Sequence, residues 1–132
     1  MMESLNMSVA IFVNNKISLA IPNSIFNALY HEYYNMLNNY SQYKQTLSEA
    51  MTRMDIATGS YFNIEESLPT YEVALAFYTI ANMVHEKIEY NLRVLLASRP
   101  YYRQFYTIIE DRAQELAIAH GKAFIRISYK SF

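Results

Sequence analysis

At 132 residues, 52% hydrophobic and without cysteine, the chain can bury one core without disulfides, and thiolate chemistry and cysteine zinc sites are excluded. Its two glycines, Gly59 and Gly121, lie too far apart for a phosphate-binding or dinucleotide loop. The net charge of -1 conceals an asymmetry: residues 1–86 carry three cations against eight carboxylates, net -5, and residues 87–132 eight against four, net +4. That polarity suits head-to-tail association or an acidic partner, and equally two ordinary solvated faces.

The N-terminus reads as a β-hairpin, an arm, or a short helix. Residues 8–13 and 16–21 are β-branched and apolar around Asn14-Asn15, a pair that tolerates the positive φ of a two-residue turn. A simple register places Ala10, Phe12, Ile17 and Leu19 on one face, with neither face cleanly polar. A small sheet of that kind leaves a face or edge for a second subunit.

Pro22, Asn23 and Ser24 then open a long helix over about residues 25–57, closed by Gly59. Within it Phe26, Leu29, Tyr33, Met36, Tyr40, Tyr43, Leu47, Ala50, Met54 and Ala57 recur at alternating spacings of three and four. Such a heptad seam needs a facing helix. Continuous, it would be roughly 50 Å long, more than a domain of this size covers. Tyr33, Met36, Tyr40, Tyr43 and Leu47 are therefore the candidate interface residues. Thirteen tyrosines and no tryptophan fit contact surfaces that keep polar tips.

Ser67 to Thr70, with Pro69, begin a second helix over about 71–98, apolar around most of its girth, with Thr79, Asn82, Glu86, Glu89 and Arg93 as one wet stripe. Pro100 opens a third, about 100–120, which Gly121 ends, and alternation over 123–129 predicts a last strand. The expected fold is mainly α. It is one domain of three long helices over residues 23–121, with an N-terminal hairpin or arm (1–22) and a C-terminal strand or tail (122–132).

Chemistry-bearing clusters are few. His31-Glu32 and His85-Glu86 begin like a helical zinc-protease motif, but Asn35 and Glu89 stand where its second histidine belongs. His85, Glu86 and Glu89 remain the one cluster from which a metal-dependent enzyme could be built, and a solvated ladder explains them as well. His120, before Gly121, suits a helix C-terminus. Arg99, Tyr101 and Arg103 at a helix start, with Lys122, Arg126 and Lys130 beyond, form a candidate nucleic-acid surface. The alternative is that those tyrosines are core and those arginines pair with acids. A near-neutral chain favours the alternative.

The leading expectation is a non-enzymatic structural assembly subunit. It would pack with copies of itself or a sister chain through the tyrosine seam and terminal segments, and could contact DNA or RNA backbone. The layout of long paired helices with interaction-prone ends resembles helical coat proteins of filamentous viruses, a resemblance of plan that would make this a capsid protein of a virion. A small helical accessory subunit of a ribonucleoprotein or regulatory complex is the alternative, and a His/Glu enzyme the third reading. No cofactor is expected. No membrane span or export signal is read, which predicts a soluble protein of cytoplasm or virion.

Overall fold

Asn14 and Asn15 adopt φ of 52° and 64°, the left-handed pair that a two-residue type I′ turn requires, and so close a hairpin of β1 (Ser8–Val13) and β2 (Lys16–Pro22). The computed structural model describes residues 7–91 and 96–124. The simple register fails after two pairs. Phe12 faces Ile17, but Ile11 faces Leu19, so Ser18 is the extra residue of a bulge. This one-residue shift turns Leu19 and Ile21 inward beside Ile11 and Val9, and leaves Ile17 outside with Ala10, Phe12 and Ala20. Without it Ser18 and Ala20 would face the core.

The expected helix over 25–57 is two helices, α1 (Asn23–Asn38) and α2 (Ser48–Asp55), separated by a 3-10 turn at Ser41–Tyr43. Asn38, Asn39 and Ser41 compete for backbone hydrogen bonds, and α1 ends as Asn39 and Tyr40 donate to the carbonyls of Met36 and Leu37. The chain then folds back, bringing Asp55 close to Tyr30. Asn23 does not cap α1. Its Oδ1 accepts instead from the Gly59 amide at 2.8 Å, tying the two ends of this helical pair together.

Residues 61–63 form β3 (Tyr61–Asn63), parallel to β1, giving a sheet of order β2-β1-β3. Asn63 caps the single turn of α3 (Ile64–Ser67) by accepting from the Glu66 amide, and Glu65 accepts from the turn amide of Asn14. Thr70 caps α4 (Tyr71–Glu89), and α5 (Arg99–Ala119) follows a 3-10 turn at Leu96–Ser98. Gly121, with φ of 64°, ends α5.

A bundle of three long helices with strands at both termini is therefore not what the chain adopts. The described residues hold five α-helices and a three-stranded mixed sheet built near the N-terminus. The second helix stops at Glu89 and not at residue 98. Ala123 and Phe124 are not in a strand, and the rest of the expected last strand lies outside the described residues.

The core joins sheet and helices through aromatic rings. Phe105 of α5 lies 5.8 Å from Phe26, 6.0 Å from Tyr33 and 5.9 Å from Phe62, and Tyr33 also meets Phe77 of α4 at 5.3 Å. Val9, Ile11 and Ile21 cover this cluster from the sheet's inner face.

Candidate functional site: an uncharged sheet face

The five residues expected at an interface belong to the protein's own core. Tyr33 and Leu47 are buried, and Met36, Tyr40 and Tyr43 are half-buried against the same cluster. Because the chain folds back at residues 39–47, both halves of the heptad seam look inward, α1 onto α4 and Phe105 of α5, and α2 onto α1 and α3. Tyr33 and Leu47 are thus covered within one molecule, and Met36, Tyr40 and Tyr43 are partly covered.

The cations at the start of α5 are engaged as well. An Arg99 Nη donates to the Asn91 carbonyl at 3.2 Å, while Arg103 grips Glu89 with two bonds of 2.6 and 2.8 Å. Tyr101 is half-buried against the core and Lys122 is exposed. Arg126 and Lys130 lie outside the described residues. The expected nucleic-acid surface is thus not assembled from the residues that can be seen.

Of the stripe expected to be wet, Asn82 and Glu89 are buried, Thr79 is half-buried and Glu86 is exposed, while Arg93 lies outside the described residues. Asn82, His85 and Glu89 are buried against α5, where Tyr106 stacks on His85 with ring centroids 4.3 Å apart and its hydroxyl donates to Asn82 Oδ1. Tyr78 donates to Glu110 at 2.6 Å, so the ladder runs from Glu110 through Tyr78, Tyr106 and Asn82 to His85, Glu89 and Arg103. Glu110 is buried, and the Tyr78 hydroxyl donates to its carboxylate. His85 and Glu89 come together, 3.9 Å apart, but Arg103 holds both carboxylate oxygens and Glu86 is exposed. No group of three metal-ligating side chains exists among the described residues. Chemically the bonds among Tyr78, Tyr106, Asn82 and Glu110 and between Arg103 and Glu89, with His85 stacked on Tyr106, align α4 with α5.

Burial holds the His85 imidazole below its ordinary pKa, and the hydrogen bond from Arg103 holds the Glu89 carboxyl below the carboxylate range. Both shifts make acid destabilising. The unfolded chain protonates His85 below about pH 6.5 while the folded chain resists, and Glu89 contributes stability above about pH 4.3 that is lost as the pH falls through its folded value. Urea unfolding at a series of pH values is expected to show stability declining from about pH 6.5 downward, and His85→Gln to flatten the first part of that decline. A wild-type profile flat to about pH 5 would contradict the burial of His85.

Among the described residues, Met7, Ile56, Tyr90 and Ile118 are exposed apolar side chains, and the outer face of the sheet brings several others together. Phe12, Ile17 and Tyr61 stand there around the small side chains Ala10 and Ala20. Ile17 is 63% and Tyr61 50% exposed, and the rings of Phe12 and Tyr61 meet edge to face at 5.9 Å. None of these five residues is charged. No family model, curated protein or solved structure matches this chain. Among the described residues, no helix is long and apolar enough to cross a membrane.

Sequence reasoning recognised that the hairpin was apolar on both faces but did not single out Phe12, Ile17 or Tyr61. The bulge that turns Leu19 and Ile21 inward and the short strand that brings in Tyr61 have no periodic signature. The one signal was indirect: Leu19 and Ile21 are larger and more apolar than Ser18 and Ala20, a pattern only a bulge turns inward.

Proposed function

We propose that this chain is a non-enzymatic assembly subunit that joins a second copy of itself through the outer face of its sheet. The observation that carries the reading is the uncharged cluster of exposed Ile17 and Tyr61 and half-buried Phe12 beside Ala10 and Ala20. Contiguous exposed apolar surface of this kind marks interaction sites. A two-fold axis would set the large side chains of one copy against the alanines of the other, an isologous contact between sheets about 10 Å apart. The absence of charge on these residues gives no basis for selecting an acidic or basic partner, which favours a like surface. Contact with nucleic-acid backbone has little support, because Arg99 and Arg103 are already bonded within the chain.

Light scattering over about 1–100 μM protein is expected to show mass rising from one chain to two, and Ile17→Lys to weaken association at least about tenfold. The melting temperature of the variant should stay near that of wild type at a concentration low enough to dissociate it, because Ile17 packs little within its own chain. A wild-type protein monomeric across the range would overturn the reading.

A further inference from the structure

After α5 the chain reverses and follows α4. Gly121 takes the left-handed conformation, and the Lys122 amide donates back to the Ala117 carbonyl at 2.8 Å. The His120 ring lies 6.1 Å from that of Tyr71, the first residue of α4, and the Phe124 ring lies 5.3 Å from that of Tyr78. Between His120 and Phe124 the chain has therefore advanced by two turns of α4, about 10 Å along its axis. It is heading for the C-terminal end of α4, along the polar ladder in which Tyr78 bonds Glu110.

Residues 125–132 follow Phe124. Extended, they reach about 26 Å, whereas about 16 Å of helix axis separates Tyr78 from Glu89. Alternate residues of an extended segment share a side, so Arg126, Ser128 and Lys130 fall on the side by which Phe124 meets Tyr78. At about 3.3 Å per extended residue against about 1.5 Å per helical one, Arg126 comes opposite Asn82 and Ser128 opposite Glu86. The ladder and its exposed rim hold three carboxylates, Glu86, Glu89 and Glu110, and one guanidinium, that of Arg103. Polar and cationic side chains arriving from the segment match that surface in both polarity and charge. We propose that residues 125–132 dock extended along the groove between α4 and α5 as a strap over the polar ladder, with Arg126 directed to Glu110 and Lys130 to the acidic end at Glu86 and Glu89. The strap engages Arg126 and Lys130 within the chain, as Arg99 and Arg103 already are, and so takes them out of the expected nucleic-acid surface. It lies on the helices and is independent of the sheet face and of self-association.

The chain has no cysteine, so an introduced pair reports proximity alone. Glu86→Cys/Ser128→Cys is oxidised by glutathione disulfide at about 1 μM protein, where pairing within a chain outruns pairing between chains. Its internal disulfide is expected to close at least about tenfold faster than that of Ile118→Cys/Ser128→Cys, followed by mass spectrometry. Ile118 is 68% exposed near the end of α5, and a tail that ranged freely would meet it as readily as Glu86. Adding Arg126→Ser to the Glu86 pair should slow closure toward the control rate. Glu86 and Ile118 are both exposed, so the variants should keep the fold, which circular dichroism verifies. Equal closure of the two pairs, including none in either, would overturn the proposal. So would closure indifferent to Arg126→Ser, or a covalent dimer as the main product, which would seat the segment on another copy.

Discussion

Truncating Phe105 to alanine is expected to lower the free energy of unfolding by about 3–5 kcal/mol, the largest effect of any single side chain considered. The ring is fully buried and touches Phe26 and Tyr33 of α1 and Phe62 of β3. Removing it leaves a cavity where sheet, α1 and α5 meet, and none of these elements can close the gap without releasing contacts elsewhere. Tyr34→Ala is the matched control. Tyr34 is aromatic and on the same helix as Tyr33 but 46% exposed, and its truncation should stay within about 1 kcal/mol. Urea unfolding followed by circular dichroism separates the two. A Phe105→Ala loss no greater than the control's would mean that the aromatic seam is not the protein's own core.

Arg103→Met is expected to destabilise by about 2–3 kcal/mol, because it strips the bidentate partner from a carboxylate that is almost wholly covered. The value sits below that of a fully buried pair because the Arg103 side chain is 45% exposed and water screens part of the attraction. Adding Glu89→Gln should recover much of the loss, since the double variant no longer buries an unpaired charge. Strictly additive single effects would show that the pair is not coupled.

These two results concern features that sequence reasoning treated very differently. The hairpin turn at Asn14-Asn15, the cap at Thr70 and the stop at Gly121 were legible, because each is set by local backbone chemistry within a few residues. The seam from Phe26 to Ala57 was legible as an apolar surface but not as two helices. A repeat of 3.5 residues looks the same whether the helix continues or folds back with the same face inward. What decides is the weak helix preference of Asn38, Asn39 and Ser41 against the core offered by α4 and α5, and that core is not visible locally. The polar ladder was misread for a related reason. Asn82 and Glu89 have helical spacing appropriate to a solvated stripe, and only Tyr106 and Arg103, from a different helix, make their burial tolerable. The three residues of β3 are too few for alternation to show, so Tyr61 could not be placed beside Phe12.

The account turns on which surface faces other molecules. The sheet's outer face is proposed to do so, and the tyrosine seam is occupied within the chain. Sedimentation equilibrium of two double variants, Ile17→Lys/Tyr61→Lys and Tyr40→Gln/Tyr43→Gln, compares the two surfaces directly at matched protein concentration. The sheet variant is predicted to sediment as a single chain while the seam variant associates as wild type does. Dissociation of the seam variant with persistent association of the sheet variant would contradict the account.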